Sequence, residues 1–469
     1  MNNKKIVSVL TMFSILFLSL VFYLTYIGVQ YHETYIQSNY NQRNALLETK
    51  ILRGTIYDRN GTVLAYSETI DGMQTRKYPY DNMYSHVIGY SSPQFGKSLI
   101  EKQYNQELLN QSNIKSILSL DGFEQSMSEG NDLYLTIDHN LQQKAHELMK
   151  GYKGALVAMD PVTGEILSMV SMPDYNPNEA SLSEAWSSLN SDETSPFLTR
   201  ATMGLYAPGS TYKVITTASI IENGLENETV SDTEGKIHIV NKDISNSENK
   251  IYGDTDLNKA FIKSSNVYYA KLGSLIKHDV HKDIAQRFML NKEISFDIPV
   301  AKSNFETQNL NELGCAITSI GQGSTLMTPM HMALVASTIA NDGVMPKPYI
   351  VESISKDGTT ISASNHETLA QPISSDIAKT IKQLMLDTVK SGTGTAAGIY
   401  GIEVCGKTGT AENEMTTTDV SKTHALFIGF APYENPEIAV CVIMENAGFG
   451  GSVAAPVARE VMKTYFSNK

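Results

Sequence analysis

The distribution of apolar and polar positions divides the chain into three textures. From Ile6 to Val29 runs an uncharged, mostly apolar stretch of 24 residues, long enough as a helix to cross a hydrocarbon core of about 30 Å. Lys4 and Lys5 precede it, and no basic residue follows until Arg43. The positive-inside bias therefore predicts one uncleaved anchor, with the N-terminus in the cytoplasm and everything after about Tyr31 outside. A cleaved signal peptide would need a shorter apolar core and a small-x-small site, and Ser14 to Gly28 offers neither. A buried core helix would leave the basic flank unexplained.

Residues 31 to about 150 are polar and irregular, with short strand-like runs at Gly61–Ala65 and Leu133–Ile137. From Gly154 the pattern becomes regular. Ala155–Met159 reads as a strand, Asp160-Pro-Val-Thr-Gly164 as a turn, and Glu165–Val170 as a returning strand. Helices are predicted over Ser210–Asn223, Pro329–Asn341 and Ser375–Lys390, the first two ended by Asn-Gly and Asp-Gly pairs. His424–Phe430 and Glu437–Ile443 read as paired strands, and Ala454–Phe466 as a closing helix. Strands at both ends with helices between predict one sheet whose edges come from distant sequence. No internal repeat interrupts the pattern.

At 469 residues the chain is long enough for at least two domains. Its composition, 41% apolar and 19% charged, is globular. A net charge of −13 argues against nucleic-acid binding by phosphate neutralisation. The ten histidines show no HExxH pairing and the three cysteines no CxxC spacing, so no metal site, disulfide framework or redox dithiol is expected. Cys315, Cys405 and Cys441 read as small apolar fillers.

Candidate chemistry begins at Tyr206-Ala-Pro-Gly-Ser-Thr-Tyr-Lys213. Ser210 is placed at the start of an apolar helix, with Lys213 on the same face. A serine hydroxyl needs a base to become a nucleophile, and a lysine serves if burial or neighbouring cations lower its pKa. Ser112–Lys115 and Ser353–Lys356 share the SxxK spacing, so the motif alone is weak. A second element, Ser264-Ser-Asn266, follows Ser210 by 54 residues, and its hydroxyl and amide suit proton relay and peptide binding. Ser188-Leu-Asn190 and Ser247-Glu-Asn249 match it too. The third, Lys407-Thr408-Gly409-Thr410, is led by Ile402, Val404 and Gly406 as a strand. A cation with small hydroxyls there suits a carboxylate, and a strand N–H suits an oxyanion. Lys390-Ser-Gly392 has the same pattern but follows a helix.

Gly401-Ile-Glu-Val-Cys-Gly-Lys-Thr408 also fits the phosphate-binding spacing GxxxxGK[ST]. That loop needs a strand before it and a helix after it. Here the x residues alternate like a strand, and Gly409–Met415 has no apolar helical face. Nucleotide binding is not expected.

In this order, the three elements resemble the SxxK, SxN and K[ST]G motifs of the penicillin-binding transpeptidases. Arg53-Gly-Thr-Ile-Tyr-Asp-Arg-Asn-Gly61 resembles the RGxIxDRxG signature of class B members, closest to the short penicillin-binding protein A-like branch. Gly154–Leu167, Gly321-Gln-Gly323 with Thr328-Pro329, and Gly392-Thr-Gly394 are also similar to family segments. Too little chain separates the anchor from Ser210 for the glycosyltransferase module of class A. The resemblance implies an α/β (α+β) serine transpeptidase/β-lactamase-like domain at 151–469, with an antiparallel sheet flanked by helices. Before it come a cytoplasmic tip and transmembrane helix at 1–30 and an extended, β-rich pedestal at 31–150.

It also implies a reaction. Ser210 attacks the D-Ala-D-Ala carbonyl of a peptidoglycan stem peptide while Lys213 takes its proton. Ser264 helps return that proton to the leaving D-alanine, and Lys407 supplies positive potential. Backbone N–H groups of Ser210 and Thr410 receive the oxyanion, while Asn266, Thr408, Gly409 and Thr410 hold the substrate. β-Lactams acylate the same serine, no cofactor is required, and the expected partner is a SEDS-family membrane glycosyltransferase. A serine β-lactamase would need a group to activate water, such as the Glu of an ExxLN loop, and none lies between Val267 and Gly406. A non-catalytic scaffold or β-lactam sensor need not keep all three motifs. A D,D-carboxypeptidase is the nearer alternative, because water and amine acceptors compete at one site.

Overall fold

A computed structural model describes residues 3–31, 51–70, 73–110, 129–413, 416 and 422–468. Helix α1 (Asn3–Gln30) is apolar all round and long enough to span a membrane, and its side chains are exposed. Strands β1 (Ile56–Tyr57), β2 (Val63–Ile70), β3 (Met73–Lys77) and β4 (Asp132–Leu135) follow, then helix α2 (His139–Met149). The predicted hairpin of strands is β5 (Gly154–Met159) and β6 (Ile166–Met172). Helix α3 (Lys213–Glu222) precedes a small hairpin, β7 (Lys236–Ile239) and β8 (Lys242–Ser245). Then come α4 (Leu257–Lys263), α5 (Asn266–Leu275), α6 (Pro329–Ala340), β9 (Val351–Lys356), β10 (Thr359–Ala363) and α7 (Ser375–Ser391). Strands β11 (Cys405–Ala411), β12 (His424–Ala431) and β13 (Ile438–Met444) and helix α8 (Ala454–Ser467) complete the chain.

The central sheet has the order β11-β12-β13-β5-β6, antiparallel throughout, so both ends of the C-terminal region meet in it. Its middle strands β12, β13 and β5 are almost continuously apolar because helices cover both faces, whereas edge strand β11 carries Lys407, Thr408 and Thr410. Val157, Leu426, Ile428, Cys441 and Ile443 face one core with Met330 and Leu334 of α6. Leu156, Phe427, Val440 and Val442 face the other with Leu141 of α2 and Val461 of α8. Pro329 stands at the first turn of α6, and the Thr328 hydroxyl caps it by accepting from His331 N at 3.1 Å. The three cysteines are buried and free.

A second sheet runs β10-β9-β4-β1-β2-β3. Its strands β9 and β10 come from far downstream, so the chain crosses back into the N-terminal sheet after α6. The Arg53–Gly61 segment acquires physical reasons here. Arg53 and Arg76 converge on the buried Glu101 carboxylate at 2.6 and 2.7 Å. Asp58 shapes the turn by accepting from Asn60 N and Thr62 N, and its other oxygen accepts from His139 N at the start of α2. Arg59 reaches Glu165, beside β6, at 2.8 Å.

Candidate active site

Ser210 lies in a single 3-10 turn, Gly209–Tyr212, and the α-helix starts only at Lys213. The α-helix therefore starts three residues later than the sequence predicts. Gly209 is the cause: its φ of +51° is left-handed, and its N–H donates to Gly321 O at 2.9 Å. The turn is pressed onto edge strand β11. A methyl group on Gly209 would lie 2.7 Å from Thr410 O, and one on Gly409 would lie 2.8 Å from Thr211 Cγ2.

Lys213 is fully buried. Its Nζ donates to Ser264 O at 2.8 Å and to Asn266 Oδ1 at 2.7 Å, and stands 3.3 Å from Ser264 Oγ. Lys407, also fully buried, donates from β11 to the same Ser264 Oγ at 2.9 Å. Ser264 reaches this place because the chain reverses between α4 and α5. Its own backbone is left-handed at φ +58°, a conformation costing a non-glycine residue about 1–2 kcal/mol. Ser265 then caps α5 by accepting from Tyr268 N.

The two lysines lack a carboxylate partner among the described residues, and each looks onto an aromatic ring: Lys213 onto Tyr269 at 5.3 Å, Lys407 onto Phe261 at 5.6 Å. Burial first, and the Lys407 charge second, hold Lys213 well below the ordinary lysine range. Burial lowers Lys407 to about 7. A neutral Lys213 has two N–H bonds, and Ser264 O and Asn266 Oδ1 can take both. Its lone pair is then free to accept a proton.

Ser210, Lys213, Ser264, Asn266 and Lys407–Thr410 thus meet where α3, the α4–α5 reversal and β11 converge. The rival matches do not. Ser353 and Lys356 lie on β9, Asn190 in a helix over Glu179–Ser191, and Ser247–Asn249 in an exposed 3-10 turn. Ser112–Lys115 falls outside the described residues. Lys390, near the end of α7, pairs with Glu403 at 2.7 Å. The last residues of the GxxxxGK[ST] stretch lie in strand β11, which continues to Ala411 where a phosphate loop would open a helix, so no phosphate cradle forms there. Thr393 stands outside the site residues that the sequence predicts. Its hydroxyl lies 2.6 Å from Thr408 Oγ1 and its N–H donates to Ile262 O, tying β11 to α4. Its glycine flanks, Gly392 and Gly394, are the available signal.

The profile of the penicillin binding protein transpeptidase domain matches residues 154–463, and that of the penicillin binding protein A dimerisation domain matches residues 53–132. The chain belongs to the penicillin-binding transpeptidase family. Peptidoglycan D,D-transpeptidase PbpA of Mycolicibacterium smegmatis is 34% identical over 451 residues, covering 89% of this chain and 90% of that protein. Penicillin-binding protein A from M. tuberculosis, solved as a ceftriaxone acyl-enzyme complex, superposes with a TM-score of 0.83 at 30% identity, over 89% of this chain and 99% of that one. The D,D-transpeptidase domain of a peptidoglycan glycosyltransferase from Eggerthella lenta gives a TM-score of 0.80 at 35% identity, over 89% and 99%. The likeness to these penicillin-binding proteins extends over both sheets.

Proposed function

We propose that Ser210 carries the acyl-enzyme of this peptidoglycan D,D-transpeptidase. The observation that carries the assignment is the convergence of two buried lysines on the Ser264 hydroxyl beside the Ser210 turn. Lys213 accepts the Ser210 proton as Oγ bonds to the penultimate D-Ala carbonyl carbon. The oxyanion is received by the Ser210 and Thr410 N–H groups. Collapse breaks the peptide bond, and the leaving D-alanine takes the proton back through Lys213 and Ser264. An amine from a neighbouring stem peptide attacks the ester and releases Ser210. Edge strand β11 offers Thr408, Gly409 and Thr410 to the substrate backbone as an added strand, and Lys407 holds positive potential for its carboxylate. Asn266 orders both Lys213 and the stem peptide. Helix α1 anchors the chain with residues after about 31 outside the cytoplasm, and residues 31–150 form the pedestal below the 151–469 catalytic domain. Class B resemblance supports a SEDS-family glycosyltransferase as the membrane partner that supplies glycan strands.

Benzylpenicillin should add its mass to the wild-type protein in intact-protein mass spectrometry, and Ser210→Ala should abolish the adduct. An adduct persisting in Ser210→Ala overturns the assignment, and rapid turnover of the drug would instead indicate a β-lactamase. With a donor stem peptide and an excess of acceptor amine, crosslinked product is expected. Free D-alanine with no crosslink would indicate a carboxypeptidase.

A further inference from the structure

The SxN motif supplies Lys213 with an acceptor, but nothing within the motif decides which end of the Asn266 amide faces the lysine. The segment around hairpin β7–β8 decides it. Ser245 O accepts from Asn266 Nδ2 at 2.8 Å, which leaves Oδ1 turned to Lys213 Nζ at 2.7 Å. The neighbouring residue, Asn246, is almost wholly buried. Its Oδ1 accepts from Asn266 N at 2.8 Å, Val267 N at 3.1 Å and the Ser265 hydroxyl at 3.3 Å. These are donors of the first turn of α5, which has no intrahelical acceptor for them. Asn246 Nδ2 donates to Asp232 Oδ2 at 2.6 Å and to Lys250 O at 2.8 Å. Asp232, buried as well, is itself held by Gly235 N and Tyr252 N. Every polar atom of the Asn246 amide therefore has partners of one kind on each side, and only one orientation satisfies them.

We infer that Asp232 and Asn246 are positioning residues for the reaction: they clamp the start of α5 so that Asn266 Oδ1 faces the Lys213 amine. Neither lies in the three motifs, and neither touches the reacting atoms. The inference rests on the assignment of Lys213 as the base. Its logic is geometric, since displacing a reacting group by about 1 Å can cost a hundredfold in rate.

The test is the acylation of full-length protein by benzylpenicillin, followed in time by intact mass. Amplitude reports the folded fraction and the rate constant reports the site. Asn246→Ala should lower the rate constant about tenfold to a hundredfold. Losing the Asn266 acceptor disfavours the ammonium form of Lys213, so the rise of rate with pH should move to lower pH, Lys407 and the Tyr269 ring being the other groups that face the amine. Asn246→Asp should be at least as slow, because it sets a second carboxylate against Asp232. Asp232→Asn sets an amide Nδ2, whichever way it turns, against either the Gly235 N–H or the Tyr252 N–H and Asn246 Nδ2, and should slow acylation in the same direction. Should a variant fold poorly, the rate constant of its folded remainder still decides. Reduced amplitude with wild-type rate constants and pH profile in Asn246→Ala and Asp232→Asn overturns the inference. A wild-type protein that takes no penicillin contradicts the assignment of Ser210 instead.

Discussion

Lys407 Nζ donates to Ser264 Oγ at 2.9 Å across 143 residues of sequence. The same hydroxyl is 3.3 Å from Lys213 Nζ, so the two amines share one oxygen and the Lys407 charge helps to lower Lys213. Acylation should rise with pH as Lys213 loses its proton, because only the neutral amine can receive the proton of Ser210. Lys407→Met removes the like charge that helps to depress Lys213. Lys213 then keeps its proton to higher pH, and the ascending limb of the rate–pH profile should move upward. The plateau should fall by about 10²–10³-fold, as for loss of one electrostatic donor. A slower reaction with an unmoved limb would show that Lys407 acts on substrate alone.

Gly321 tests the placement of the nucleophile turn. Its φ is +74°, and a methyl group there would lie 2.0 Å from Gly209 O. Gly323, two residues on, is also left-handed, at +84°, but a methyl group there meets only Ile317 Cγ2 at 3.4 Å. Alanine at either position carries a similar backbone cost of about 1–2 kcal/mol. Only Gly321→Ala must also displace the Ser210 turn. Both variants should melt a few degrees lower, whereas acylation should slow about a hundredfold in Gly321→Ala and little in Gly323→Ala.

The parts of the site that are legible in the sequence are those with short-range grammar. Pro-Gly before Ser210 and the helical stretch before Ser264 place their motifs at a helix start and a helix end, while the expected strand at Lys407 forms only from Cys405, after the alternating Ile402–Val404 that predicted it. What escapes is long-range. Nothing in Val351–Ala363 announces that β9 pairs with β4, because a strand's pattern reports its faces and not its partner. Lys-Ser-Ser-Asn contains no glycine to signal the left-handed reversal at Ser264. Asn246 lies beside Ser247-Glu-Asn249, a false match to the second motif, and its importance appears only when the hairpin folds onto α5. The 3-10 turn at Ser210 depends on Gly321, more than a hundred residues away.

Glu101 should dominate the acid stability of the N-terminal sheet. Burial raises its carboxyl, but the charges and hydrogen bonds of Arg53 and Arg76 outweigh that and hold it at about 2. A carboxyl depressed in the folded state stabilises above its unfolded pKa, near 4.5, and the gain is lost as pH falls toward the folded value. For Glu101 this amounts to about 3 kcal/mol, disappearing between pH 4.5 and 2. Glu101→Gln leaves two buried guanidinium groups without their counter-charge and should destabilise by about 3–5 kcal/mol. Its urea-unfolding stability should also depend less steeply on pH in that window. A variant of wild-type stability would show that the two arginines are satisfied by carbonyl oxygens alone.

The topology of the chain can be read with cysteine chemistry, because the native thiols do not interfere: Cys315, Cys405 and Cys441 are all buried. Burial also raises each of their pKa values, which suppresses the reactive thiolate. New cysteines at Asn3, just before the apolar stretch of α1, and at Ser187, on an exposed helical surface, report opposite ends of the proposed arrangement. Lys4 and Lys5 should keep the first on the cytoplasmic side. In intact cells an impermeant maleimide should label Ser187→Cys within minutes and leave Asn3→Cys unlabelled until the membrane is permeabilised. The unsubstituted protein should stay unlabelled in both conditions. Labelling of Asn3→Cys in intact cells would reverse the orientation. Recovery of a mature chain that starts near Gly28 would replace the anchor by a cleaved leader.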